Sequence, residues 1–135
     1  MRLLSPRPTD AAQALFRTAC DEAARLSFAV GVEHLVLACA VHGALAVDPD
    51  EVRDRIVADE RTALASLGIS FDIVRAELGS ALDRSDCLPV SPEVKRLLEI
   101  ASRRRRHVTA AQLLTTLRTH SVSARRLLTE LDEPL

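Results

Sequence analysis

The sequence predicts an all-α fold made of two helical repeats, with about seven to eight helices in total. Apolar residues recur at intervals of three and four along most of the chain, and no stretch shows the sustained alternation of a β-strand. Alanine, leucine and arginine, which all favour helices, dominate the composition. The chain has 135 residues, 47% of them hydrophobic and only 2% aromatic. This length suits one domain with a single aliphatic core.

The first two helices are predicted from one N-cap and two apolar patterns. Thr9 is a good N-cap residue for a helix that runs to about residue 26. The second helix is expected at residues 30–40, ends near Gly43, and has Glu33 in its first turn. The residues after Glu33 are almost all apolar or small, so most faces of this helix must be covered by protein. The first helix should bury one stripe: Leu15, Phe16, Ala19, Ala23 and Leu26.

Two further helices complete the first half of the chain. A third helix is predicted over about residues 50–67, because Pro49 suits a first helical turn and Gly68 suits the position after a helix end. The charged residues within it are expected to form a solvated face. A fourth helix should follow Ser70 over about residues 71–82. The apolar residues of the third helix are Val52, Ile56, Ala63, Leu64 and Leu67.

The second half of the chain has three predicted helices. Ser91 followed by Pro92 is typical of a helix start and predicts the fifth helix. Thr109 and Gln112 have the spacing of a capping box and predict the start of the sixth helix. The last helix is expected over about residues 123–131. Four consecutive arginines, residues 103–106, are interpreted as a solvated helix end.

The two halves can be interpreted as copies of one helical unit. Thr9 and Ser91 each begin a helix that leads, through a short turn, to a buried helix that starts near Gly31 or Thr109. Two such units are expected to be related by a pseudo-twofold axis and to leave a groove at their junction, where ligands commonly bind. The expected boundaries are repeat one at about 9–83, a linker at about 84–90 and repeat two at about 91–135.

Composition narrows the possible partners. The net charge of −1 gives no general attraction to nucleic acid or to an anionic membrane, and no run is long enough to span a bilayer. No signal peptide is recognisable. Cys20, Cys39 and Cys87 cannot all pair with one another, and none forms a CxxC motif. Reduced thiols in a cytoplasmic protein are therefore expected. Cys39 and His42 lack further ligands at metal-binding spacing, so we expect no metal and no cofactor.

Three motifs in order resemble those of one protein family. Residues 31–37 read Gly-Val-Glu-His-Leu-Val-Leu, residues 66–69 read Ser-Leu-Gly-Ile, and residues 89–95 read Pro-Val-Ser-Pro-Glu-Val-Lys. In order and spacing they resemble the N-terminal repeat domain of the Clp AAA+ unfoldases of the ClpA and ClpC type. The resemblance extends from about residue 9 to residue 131.

The chain also departs from the family pattern. Repeat one carries an insertion at about residues 44–61, and the second Glu-His pair of the family is replaced by Ala111-Gln112. There is no GxxxxGK[ST] loop, so the chain has no Walker-type site for ATP phosphates. We therefore expect a divergent, stand-alone recognition domain without the ATPase.

The resemblance implies a non-enzymatic module that binds a protein substrate, an adaptor or the Clp ATPase itself. Members of the ClpC type also bind phosphorylated arginine. Carried over from the family, the first pocket would contain Thr9 and Glu33, and the second would contain Ser91 and Ala111. Ala111 offers no carboxylate to a guanidinium, so at most one pocket is expected to function. The alternative for Glu33 is a charge that only stabilises the helix dipole.

The family also binds cyclic peptide antibiotics, which implies a different function: sequestration of such a compound as a resistance decoy. A third alternative is a pure protein-interaction scaffold. Lys95 and Glu99 could equally be a solvated pair one helical turn apart. The residues that the resemblance places in the groove between the repeats are Arg17, Cys20, Val90, Lys95 and Glu99.

Overall fold

A computed structural model gives the structure of the protein and describes residues 10–26, 29–74, 76, 89–103 and 108–131. The described residues form seven helices and no strand, which confirms the predicted all-α fold. None of these helices is both long and apolar enough to cross a membrane. The helices are α1 (Asp10–Leu26), α2 (Val32–Val41), α3 (Pro49–Ala65), α4 (helical at 71–74 and 76), α5 (Pro92–Arg103), α6 (Ala110–His120) and α7 (Val122–Glu130).

Helix α2 lies at the centre of the fold. It packs against α1, α3, α5, α6 and α7, so it contacts helices of both halves. Eight of its ten residues are buried, which confirms that protein covers most of its faces. The buried residues run without interruption from His34 to Ala40.

The surrounding helices each bury one apolar stripe against this centre. The stripe of α1 is confirmed at Leu15, Ala19 and Ala23, whereas Phe16 is only partly buried. Their spacing of three and four residues places each set on one helix face. The other stripes are Val94, Leu97 and Ala101 of α5, Leu113, Leu114 and Leu117 of α6, and Ala124, Leu127 and Leu128 of α7.

Polar caps fix where most of the helices begin. The Thr109 hydroxyl accepts the Gln112 N–H at 3.1 Å and the Gln112 side chain accepts the Thr109 N–H at 3.0 Å, which confirms the capping box. Ser91 caps α5 by accepting the Glu93 N–H at 3.2 Å. Helix α7 begins one residue earlier than predicted, because the buried Ser121 accepts the Ala124 N–H at 3.1 Å.

The end of α3 differs from the prediction. The helix ends at Ala65, and Gly68 takes a left-handed conformation with φ +76°. The N–H of Ile69 then donates to the Leu64 carbonyl at 2.9 Å, which closes a turn. Leu67, which was predicted to lie within the third helix, lies in this turn and is 73% exposed. Ala63 is also exposed. Only part of the predicted fourth helix is described, since residues 77–82 lie outside the described ranges.

One short backbone contact joins the two halves beside α2. The Val30 N–H donates to the Pro89 carbonyl at 2.8 Å, and the Ser91 N–H donates to the Val30 carbonyl at 3.0 Å. These bonds make an isolated parallel bridge between Val30 and Val90. The bridge holds the first turn of α5 next to the first turn of α2. The earlier residues of the predicted linker, 84–88, lie outside the described ranges.

Candidate functional site

A cleft of about 420 Å³ lies where α2, α3, α5 and α7 meet, and we call it the junction cleft. The first turn of α2 contributes Gly31, Val32 and Glu33 to its lining, and the start of α5 contributes Ser91 and Glu93. Residues of both halves of the chain therefore line one cavity, but none of the five residues predicted for the groove between the repeats is among them. Helices α3 and α7 supply the remaining lining residues: Ile56, Asp59, Glu60, Ala63, Ser123, Arg126, Leu127 and Glu130.

Helices α3 and α7 line the cleft in the same way. On α3 the lining residues are 56, 59, 60 and 63, and on α7 they are 123, 126, 127 and 130. Both sets have the spacing i, i+3, i+4, i+7 of one helix face. Ile56 and Leu127 are buried and give the cleft apolar surface. The same two faces also contribute polar residues to the lining, so the cleft can accept a ligand with both an aliphatic stem and a polar end.

Glu33 occupies the first turn of α2, where the positive end of the helix dipole favours a carboxylate. Its side chain is 42% exposed and folds back over Gly31. A Cβ atom at position 31 would lie 2.8 Å from Cδ of Glu33. The backbone of Gly31 is extended, with φ −113°, and would accept a side chain, but the added Cβ would displace the Glu33 carboxylate from this position. Gly31 therefore sets where the Glu33 carboxylate lies.

His34 is buried directly behind this carboxylate. Its Nδ1 accepts the N–H of Gly31 at 2.9 Å, which requires that Nδ1 carries no proton. The same nitrogen lies 4.0 Å from Oε1 of Glu33. Burial lowers the pKa of His34 below its usual value, although the nearby carboxylates of Glu33 and Glu22 act in the opposite direction. The imidazole is therefore neutral at neutral pH.

Several charges of the cleft are paired within the protein. Arg55 contacts Asp59 at 3.0 Å and Glu130 at 3.2 Å. Arg96 contacts Glu93 at 3.6 Å, on the same face of α5. These pairs are partly exposed and contribute little to stability, but they offset three of the carboxylates at the cleft.

Glu33 and Arg126 carry the charges that lack such pairs. Within the described residues, no arginine or lysine lies within 4.0 Å of the Glu33 carboxylate, and no carboxylate lies that close to Arg126. The two side chains line the same cavity as the hydroxyl-bearing Ser91 and Ser123. The cleft thus offers a carboxylate for a cation and a guanidinium for an anion.

A second cavity of about 420 Å³ also has Glu33 in its lining. It shares Gly31, Glu33, Glu60 and Ser91 with the junction cleft. Its other lining residues belong to the two segments joined by the backbone bridge: Ala29, Val30, Pro89, Val90 and Pro92. Glu33 therefore contributes to the lining of two neighbouring cavities.

The structure brings together one residue from each of the two predicted pockets and leaves Ala111 outside the cleft. Glu33 and Ser91, which the resemblance assigns to separate pockets, line the same cleft. Ala111 is exposed on α6 and is not a lining residue of this cleft. Thr9 lies outside the described residues, so its predicted place beside Glu33 stays a prediction.

The five residues predicted for an antibiotic groove have mixed surroundings. Arg17, Lys95 and Glu99 are exposed, while Cys20 and Val90 are half-buried. Among these, Val90 lines the second cavity. Lys95 and Glu99 are both exposed, as expected for a solvated pair one helical turn apart. The Glu99 carboxylate also contacts Arg103 at 4.0 Å, one turn further along α5.

The cleft residues of α3 and α7 were not predicted from the sequence. The charged residues of α3 were expected to form a solvated face, although Asp59 and Glu60 continue the face of the buried Ile56 at helical spacing. Arg126 is adjacent in sequence to the buried Leu127. The signal that could have identified them is a polar residue that extends a buried stripe near a helix end.

Within the described ranges, no group of three or more histidine, cysteine, aspartate and glutamate residues is arranged to hold a metal ion. Cys39 is fully buried and His42 is exposed at the end of α2, so the two do not face one common space. Comparison with known proteins gives no match, either among models of protein families or among curated proteins.

Proposed function

We propose that the chain is a non-enzymatic recognition module of Clp-dependent proteolysis. In this proposal it binds a protein ligand through an arginine or phosphorylated arginine side chain in the junction cleft. The link to Clp-dependent proteolysis rests on the resemblance of residues 31–37, 66–69 and 89–95 to the N-terminal domain of the Clp unfoldases. The chemistry of the ligand rests on the cleft.

The observation that carries the proposal is the pair of uncompensated charges, Glu33 and Arg126, in one cavity. A guanidinium binds best to a carboxylate in a forked, bidentate geometry, which Glu33 can provide. A phosphoryl group binds best to a guanidinium, to hydroxyls and to the N–H groups of a helix start. The cleft supplies the guanidinium of Arg126 and the hydroxyls of Ser91 and Ser123. The start of α5, with its N–H groups, lies beside Ser91. Phosphoarginine carries a guanidinium and a phosphoryl group, so it would contact both Glu33 and Arg126.

The net charge of the residues that line the cleft affects how well arginine and phosphoarginine bind. Its lining includes five carboxylates and one arginine, so the cleft is acidic overall: Glu33, Asp59, Glu60, Glu93, Glu130 and Arg126. An unmodified arginine is attracted by this field, whereas the phosphoryl group of phosphoarginine is repelled unless it reaches Arg126. A comparison of the two ligands therefore tests the role of Arg126 directly.

The test is calorimetric titration of the protein with phosphoarginine and with N-acetylarginine methylamide. Wild-type protein is expected to bind both with a saturable heat. Glu33→Gln, which keeps the size of the side chain, should weaken both ligands by about tenfold or more. Arg126→Gln should weaken phosphoarginine alone. Glu99→Gln is the matched control, because it removes an exposed carboxylate of α5 that is not a lining residue of the cleft.

Two outcomes would contradict the proposal. If neither ligand gives saturable heat, Glu33 is a helix-start charge and the cleft does not recognise arginine. If Glu33→Gln binds as well as Glu99→Gln, the ligand occupies another place.

A second candidate function, a protein-interaction scaffold, is favoured by the exposed apolar residues after α3. Leu67, Ile69 and Ile73 are large apolar side chains that remain exposed within seven residues of sequence. Such side chains are typical of surfaces that another protein covers. In a fluorescence anisotropy assay with a purified ClpC-type unfoldase, Leu67→Asp with Ile73→Asp should abolish a scaffold contact. Glu33→Gln should leave that contact unchanged.

A further inference from the structure

At the start of both α2 and α6, the backbone N–H of the N-cap residue donates a hydrogen bond to a side chain one turn into the helix. The side chain that accepts this bond differs between the two helices. At the start of α2, the Gly31 N–H donates to Nδ1 of His34 at 2.9 Å. At the start of α6, the Thr109 N–H donates to Oε1 of Gln112 at 3.0 Å. In both cases the acceptor is the third residue of the helix. An imidazole gains a proton in mild acid, whereas a carboxamide does not titrate. Of these two helix starts, only that of α2 has an acceptor that can gain a proton.

Protonation of His34 removes the cap of α2. The bond from Gly31 needs the lone pair of Nδ1, and a proton on that nitrogen turns the acceptor into a donor. Two N–H groups would then face one another, and the bond is lost. Oε1 of Glu33 lies 4.0 Å from the same nitrogen, so a new N–H donor on Nδ1 attracts that carboxylate. Since Glu33 rests on Gly31, both residues would move together.

The charged groups around His34 decide when this happens. Glu33 lies on its own helix, and Glu22 of α1 is the other carboxylate that acts on the imidazole. Glu22 is itself held by Arg53 of α3 at 2.9 Å and lies 3.9 Å from Arg25. The two carboxylates favour the charged imidazole, but burial outweighs them and lowers its pKa. Protonation therefore needs a lower pH than it does for an exposed histidine.

We propose that His34 is a pH-sensitive positioning residue, which holds Gly31 and Glu33 in place when neutral and draws the Glu33 carboxylate out of the junction cleft when protonated. The cleft then binds a cation at neutral pH and releases it at a pH low enough to protonate His34. The effect on the ligand rests on the proposed function, whereas the effect on Gly31 and Glu33 does not. The cap of α6 keeps its geometry throughout, because Gln112 does not titrate.

The first test uses the protein without ligand. An NMR titration downwards from about pH 7.5, continued until the His34 ring has titrated, follows that ring together with the backbone amides of Gly31 and Thr109. The Gly31 amide is expected to shift with the midpoint of the His34 ring, and the Thr109 amide is expected not to follow that midpoint. A Gly31 amide that does not follow the His34 ring would overturn the proposal.

The second test uses binding of N-acetylarginine methylamide, whose charge is constant over this range. The affinity of the wild-type protein should fall about tenfold between about pH 7.5 and a pH below the midpoint of the His34 ring. His34→Gln introduces the acceptor that α6 already uses, and its affinity should fall less than about twofold. An equal fall in both proteins would show that other carboxylates cause the effect, which contradicts a role for His34.

The two tests separate the two proposals. If the wild-type protein does not bind the ligand at about pH 7.5, the proposed function fails, and the Gly31 titration still decides whether the cap responds to pH. If His34→Gln does not fold, the same titration of the wild-type protein decides alone.

Discussion

Glu22 of α1 and Arg53 of α3 form a bidentate ion pair. The Arg53 Nε donates to Oε1 of Glu22 at 3.0 Å, and its NH2 group donates to Oε2 at 2.9 Å. Glu22 is buried, whereas Arg53 is partly exposed and also contacts Asp50. A buried carboxylate is tolerated when its oxygens are bonded in this way. The pair therefore fixes α3 against α1 on the side of α2 that carries His34.

Replacement of Arg53 by methionine should destabilise the protein by about 2–3 kcal/mol, because it leaves the buried Glu22 carboxylate without its principal partner. The partial exposure of Arg53 keeps the loss below that of a fully buried pair. Urea unfolding measures the difference. Arg103→Met is the control, since the pair of Arg103 with Glu99 is exposed, and it should cost less than about 0.5 kcal/mol. Equal losses in the two variants would contradict a special role of the Glu22–Arg53 pair.

The same pair should make stability depend on pH in acid. The hydrogen bond from Arg53 lowers the pKa of Glu22 below its usual value of 4.5, although burial acts in the opposite direction. Below about pH 4.5 the unfolded chain therefore takes up the proton more readily than the folded protein. The contribution of the pair is present above this range and is lost as pH falls through the lowered pKa. The gap in unfolding free energy between wild type and Arg53→Met should narrow between about pH 7 and about pH 3.

Much of the fold could be predicted from the sequence, because its signals are local. Pro49 and the Thr109–Gln112 pair are recognisable helix starts, and the structure uses both. The burial of α2 on most sides follows from a helix with almost no polar face. The prediction failed at Leu67, where the chain leaves the helix two residues earlier than the pattern indicates. A turn closed by Ile69 and Leu64 depends on backbone geometry that composition does not specify.

The candidate site could be predicted only in part, because its residues come together through long-range contacts. Glu33 was identified from its place at a helix start and from the resemblance. Its neighbour Ser91 is 58 positions away, and the bridge between Val30 and Val90 that joins them consists of backbone bonds. No side-chain pattern encodes such a bond. The position of Arg126 in the cleft depends in addition on how α7 packs against α2, which is a property of the tertiary structure.

Gly31→Ala should separate binding from stability. The backbone of Gly31 suits alanine, so the unfolding free energy should change by less than about 1 kcal/mol. The new Cβ would take the space of the Glu33 carboxylate, so affinity for N-acetylarginine methylamide should fall about fivefold or more. Gly43→Ala should instead lower the unfolding free energy and leave the affinity unchanged. The φ of +84° at this position strains alanine by about 1 kcal/mol, and Gly43 is not a lining residue of the cleft. Unchanged binding by Gly31→Ala would contradict the role assigned to Glu33.

The start of α7 can be tested with two serines that lie two positions apart. Ser121 is buried and accepts the Ala124 N–H, so Ser121→Ala should destabilise the protein by about 1 kcal/mol or more in urea unfolding. Ser123 is exposed within the first turn, and Ser123→Ala should change the unfolding free energy by less than about 0.5 kcal/mol. The reverse order would place the cap at Ser123.

Cys39 should be chemically inert in the folded protein. It is fully buried in α2, and burial raises the pKa of its thiol to about 12 against the opposing effect of Arg118. At about pH 8 the reactive thiolate is then only about one part in ten thousand, and the reagent has no access to it. Iodoacetamide followed by mass spectrometry of the peptides should show Cys39 unmodified in native protein and modified in urea. The half-buried Cys20 of α1 should react faster under native conditions. Equal labelling of Cys39 in native and unfolded protein would mean that α2 opens readily, which is inconsistent with its place at the centre of the core.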